Sequence, residues 1–188
     1  MKKFVVFLFF LIFLLTYGQE VKAIPFQTPK EGKVMVYFTR VDFGAFALNF
    51  RIYDKDKFLG PLSYGDYLLY ECDPGEHLFW VASENRDFLE ATFDANKVYV
   101  IDLEPRIGAF IAAVAIRPLN PKEKKHRKWF SKVVKNKNPV YYDPSKITDD
   151  KSTNITDALE KYNKLKEKKS SKIEVLTSDM NFENADKP

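Results

Sequence analysis

Cysteine occurs once, at Cys72, and histidine only twice, at His77 and His126. A single thiol excludes an intramolecular disulfide, so the fold must stand on its hydrophobic core. Two histidines far apart in the chain cannot complete the four-ligand shell of a structural zinc site. Asp54 and Asp56, with Asp73 and Glu76, sit in turns without the further oxygen ligands of a calcium loop. No cofactor is implied. Glycine is scarce, seven in 188 residues, and none forms a phosphate-cradling loop or a Gly-x-Ser-x-Gly elbow. A net charge of only +4 does not point to nucleic acid. The longest apolar run, Phe4–Leu15, is short of the ~20 residues that span a bilayer.

Aromatic residues are abundant instead, with 17 Phe and 10 Tyr, enough for a well-filled core. The chain is organised around Asp66–Val81, DYLLYECDPGEHLFWV, where two strand-like runs flank Asp73-Pro74-Gly75-Glu76. Pro74 presets φ for a turn and Gly75 accepts positive φ, so the spacing predicts a hairpin. Around it, Lys33–Arg40, Phe46–Tyr53, Phe88–Phe93 and Lys97–Leu103 read as strands, with Gly60-Pro61 as turn punctuation. Gly108–Arg117 is a continuous apolar segment whose period is hidden, read as a strand. The expectation is a mainly β fold, an antiparallel β-sandwich or open barrel of seven to eight strands, followed by a C-terminal tail with two helices.

The amino terminus, Lys2-Lys3 before the apolar run, has the form of a signal peptide over residues 1–23, with Val21-Lys22-Ala23 suited to cleavage. Export to the periplasm, envelope or medium follows. The alternative is anchoring through an uncleaved segment. Residues 24–32 read as a linker and 33–119 as the β domain. Charge shifts near Leu119: residues 20–119 hold 11 basic and 15 acidic side chains, and residues 120–188 hold 17 and 11. Residues 120–169 read as a helical tail, with helices over about 121–135 and 152–169, and 170–188 as a polar, loose end.

The ordered motifs resemble a bacterial family known only as domain of unknown function 2846, over roughly residues 31–117. They are Gly32–Phe38, Ile52 with Phe58-Leu59-Gly60, Gly65-Asp66-Tyr67, Asp73–His77 and Asn96–Val100. The last departs from the family pattern, with Ala95-Asn96 and a single Tyr99 where glycine and a tyrosine pair are usual. Pro74-Gly75-Glu76-His77 also resembles a step of PEGA-type surface modules, more weakly. The resemblance implies an envelope-associated β-sandwich, secreted or lipid-anchored, with no assigned activity and no catalytic residues.

Three chemistries compete with a purely architectural reading. Cys72 and His77 flank the central turn and could pair as nucleophile and base. No other catalytic signature accompanies them, so the expectation is a non-enzymatic module, with a Cys72/His77 enzyme as the remote alternative. Tyr64, Tyr67, Tyr70, Tyr141 and Tyr142 lie nearest turns or edges, where they could form a platform for an envelope glycan or protein. On the helix 121–135, Lys124, Lys125, Arg127 and Lys128 surround Trp129 and Phe130. Either this apolar stripe docks on the sandwich, or the helix lies on an anionic membrane surface with its lysines snorkelling outward.

Overall fold

Val34, Val36 and Phe38 point to one side of the first strand and Met35 and Tyr37 to the other, and all five are buried. A strand apolar on both faces needs cover on both, and the whole architecture meets that need. The computed structural model describes residues 26–40, 44, 47–107, 112–149 and 153–183. The signal-like segment 1–23, Phe46 and residues 108–111 of the late apolar run lie outside the described residues.

The strands are β1 (Val34–Thr39), β2 (Phe50–Asp54), β3 (Lys57–Leu62), β4 (Asp66–Cys72), β5 (Gly75–Ala82), β6 (Arg86–Phe93), β7 (Val98–Ile107) and β8 (Ala112–Pro118). Helix α1 (Lys124–Asn136), β9 (Asn138–Tyr141), α2 (Ile155–Glu167) and β10 (Ile173–Leu176) follow. One sheet has the order β8-β7-β1-β4-β9 and the other β10-β6-β5-β2-β3. They form a sandwich and do not close into a barrel. Between them lie Val36, Phe38, Phe50, Ile52, Leu68, Phe79, Val81, Leu89, Tyr99 and Ile101. The outer face of the first sheet, with Met35, Tyr37, Tyr67, Leu69 and Val100, is covered by Phe130, Val133 and Val134 of α1. The outer face of the second, with Tyr53, Trp80 and Phe88, is covered by Ala158 and Tyr162 of α2. The result is a four-layer stack: helix, sheet, sheet, helix.

Four expectations are corrected. Asp73-Pro74 is not the turn of a hairpin: β4 pairs with β1 and β9, and β5 pairs with β2 and β6. The chain arches from one sheet to the other there, with Gly75 at φ +114. Proline has no N–H to add to a ladder, and both flanking strands need an outer helix as well as an inner neighbour. The sheets are mixed rather than antiparallel, because β1 with β7, β4 with β9 and β6 with β10 run parallel. The Gly60-Pro61 punctuation lies inside β3, where Gly60 takes φ +125 beside a register shift.

The tail, finally, is no appendage. It supplies a strand to each sheet and a helix to each outer face. Its polar end is held too: Phe182 is buried edge-on to Phe130 (5.1 Å), and its N–H donates to Val98 O at 2.7 Å. The linker docks similarly, Phe26 stacking on Tyr37 with ring centres 5.8 Å apart.

The free margins are protected. β8 ends the first sheet, and Asn85 stands in for a missing strand there, donating to Val114 O (2.9 Å) and accepting from Val114 N (2.8 Å). Asp87 accepts from Ile116 N at 2.9 Å. Burial raises the Asp87 pKa, against the pull of that bond.

Candidate functional site

Cys72 and His77 do meet, at the end of the sandwich where the arch crosses. His77 Nδ1 lies 2.9 Å from Asp54 Oδ2, and Nε2 lies 3.0 Å from the main-chain oxygen of Asp73. Both partners are acceptors, so both ring nitrogens carry protons. Burial opposes that charge, but the bonds to Asp54 and the contact with Cys72 outweigh it and raise the pKa from 6.5 to about 10. The Tyr70 hydroxyl also donates to Asp54 Oδ2 (3.0 Å), and burial and the Asp54 charge hold it well above the usual phenol range. Both ring nitrogens are thus engaged, one by the Asp54 carboxylate and one by the Asp73 main chain. The cluster is an ion-paired bridge between β2, β5 and β4.

The five tyrosines do not form one platform. Tyr67 and Tyr70 are 1% and 3% exposed and belong to different cores, Tyr67 under α1 and Tyr70 between the sheets. Burial pushes the Tyr67 phenol up to about 12. Tyr142 packs edge-on against Tyr70 and lies under Lys57, while Tyr64 lies under Lys137. Only Tyr141, 55% exposed, stands clear of the fold.

On α1 the docking alternative holds. Phe130 is fully buried against Tyr37 and Phe182, so it has no face left for lipid. The Arg127 guanidinium is turned back onto the Pro121 carbonyl oxygen. Lys124, Lys125 and Lys128 are exposed, as the stripe pattern requires.

A separate concavity lies over β7 and β8 beside α1. Asp102, Glu104 and Arg106 alternate with the inward Ile101 and Leu103, so all three face outward on β7. Ala115, paired opposite Glu104, is too small to fill the space above it, and Arg117 stands opposite Asp102. Lys125, His126 and Trp129 form the α1 wall, and Glu174 of β10 reaches the site from the second sheet. The groove has a volume of about 560 Å³, within the range of about 300–1,000 Å³ typical of small-molecule sites.

Its groups are only partly committed. Glu104 Oε2 is ion-paired with Arg106 Nη2 (3.0 Å) and Arg117 Nε, yet neither contact is aligned as a hydrogen bond. Asp102 Oδ1 accepts from Thr39 Oγ1 at 2.6 Å. His126 Nδ1 accepts from Asn120 N (2.9 Å), which leaves the ring proton on Nε2. The Trp129 indole N–H is buried with no acceptor among the described residues, an uncommon state for such a donor. A smaller hollow of about 330 Å³ lies beside α2, where three of its polar groups satisfy one another. There Tyr162 donates to Glu90, and Lys166 bonds both.

None of the groove's floor residues was singled out from the sequence, although one signal was present. Charges at every second position of β7, with apolar residues between them, mark an outward face that is not simply core. That Lys125, His126 and Trp129 stand over it depends on where α1 docks. Comparison with family models, with curated proteins and with solved structures finds no match for this chain. Among the described residues no three His, Cys, Asp or Glu side chains gather to hold a metal ion.

Proposed function

We propose that this protein is an exported, non-enzymatic module of the cell envelope whose work is binding, with the groove over β7 and β8 as its site. One observation carries the reading: a concavity of small-molecule size joins an aromatic wall, an unsatisfied indole donor and converging charged groups. The lysine-led apolar amino terminus supports export, and among the described residues no helix is long and apolar enough to cross a membrane. The test has two parts. Intact mass and fractionation in a bacterial host should give a chain cleaved between Gln19 and Ile24, outside the cytoplasm. Amide shifts on adding envelope extracts should cluster on residues 102–106, 115–119 and 125–129. An uncleaved chain in the membrane fraction would overturn the export reading, and shifts confined to other faces would overturn the site.

A second reading rests on the exposed Lys124, Lys128, Lys132 and Lys135 of α1. With the apolar stripe committed to the core, contact with an anionic surface would be electrostatic only, and vesicle binding should vanish at high salt.

A further inference from the structure

We infer that the occupant of the groove is a neutral, pyranose-based saccharide, an inference that rests on the binding reading above. Charge is the first argument. Three cations (Arg106, Arg117, Lys125) and three carboxylates (Asp102, Glu104, Glu174) line the site. A balanced lining does not steer or hold an ion of either sign, as an anion or cation site must. An apolar occupant is equally disfavoured, because it would strip water from those groups and give nothing back.

Neighbouring ring hydroxyls meet both demands. Each hydroxyl donates and accepts, and planar carboxylate and guanidinium forks take such groups in pairs. The Glu104–Arg106 and Glu104–Arg117 contacts leave hydrogen-bond directions open on all three side chains, since neither is aligned as a hydrogen bond. His126 Nε2 adds a donor on the wall, while the Trp129 indole N–H is buried without an acceptor among the described residues and would serve a ligand only if binding uncovers it. The indole ring supplies a flat apolar surface for the C–H face of a sugar. Ala115 leaves the depth that a ring lying across the floor needs.

Tryptophan fluorescence gives a selective readout. Trp80 is fully buried and donates to Lys55 O at 2.7 Å, so a ligand-induced change reports Trp129. The purified chain is titrated with neutral oligosaccharides (cello-, xylo-, malto- and N-acetylchito-oligomers), with an anionic oligogalacturonate and with short peptides. The expected result is a saturable change from at least one neutral oligosaccharide, little altered by salt. Arg117→Gln should weaken it at least about tenfold in the same titration, and Trp129→Ala, which removes the reporter, should weaken binding comparably when followed by calorimetry, as loss of one good contact does. Arg117 is half exposed, so its variant keeps the test decisive even if the tryptophan variant misfolds. Saturation only by the anionic oligosaccharide or by peptides, weakened by Arg117→Gln, would overturn the inference of a neutral saccharide and keep the site. No response to any probe, with Arg117→Gln and the parent equally stable and equally silent, would overturn the binding reading itself.

Discussion

His77 holds a proton that the unfolded chain releases more readily. Its pKa lies at about 10 in the fold against an ordinary 6.5, so between these values the folded form binds more protons than the unfolded one. Stability from this bridge is fully present below pH 6.5 and is lost as pH rises through about 10. His77→Gln should therefore lower stability by roughly 1–3 kcal/mol near neutral pH. The gap between variant and parent should close toward alkaline pH, and urea unfolding across that range checks it. A gap independent of pH would assign His77 a packing role only. Arg40 makes a comparable buried cation at the far end of β1, bonded to the Leu48 and Leu62 carbonyl oxygens and 3.8 Å from the Phe50 ring centre. Burial lowers its pKa to about 10.

Helix α1 is a structural layer, and its own residues predict as much. Phe130→Ala should cost about 3–5 kcal/mol, as large-to-small changes in cores do, and thermal unfolding measures it. Unchanged stability with weakened vesicle binding would instead restore the membrane role for this side chain. Strand β9 carries a different device. The amides of Asn138 and Tyr142 face β4, so Pro139 occupies the position whose donor would point outward. Pro139→Val should expose that donor beside Val140 and Tyr141 and promote self-association, visible as concentration-dependent light scattering.

Which segments become strands was largely legible, because turn residues punctuate them and their apolar content is high. Which strands pair was not. Tyr67–Tyr70 and Leu78–Val81 are adjacent in sequence and apolar on both sides, and a hairpin or an arch satisfies such runs equally well locally. The choice is made by β9, β10 and the two helices, distant in sequence. The aromatic sites show the same limit: Tyr67 and Tyr70 sit beside turns in the chain but inside two different cores in space. The groove needed both a strand parity, which could be read, and the position of a helix, which could not.

At the scale of the whole molecule, the basic tail completes both sheets and both outer layers. Ending the chain after Ser171 should remove β10 and Phe182, uncover β6 and the edge of Phe130, and lower the melting temperature by several degrees, read by calorimetry. A chain ending at Leu119 should fail to show a cooperative transition, because Tyr37, Tyr53, Trp80 and Phe88 would lose their cover. A cooperative, unchanged transition in either case would show that the β strands alone are a self-sufficient domain.

The parallel pairing of β1 with β7 has a consequence in time. A ribosome delivers the amino-terminal strand first, yet Met35 pairs with Val98, and Tyr37 is covered by Phe130. Val34–Phe38 thus leaves the machinery long before its neighbour on one side and its roof. A chain built this way folds late and all at once, and for much of its synthesis its stickiest segment must be kept apart from its copies.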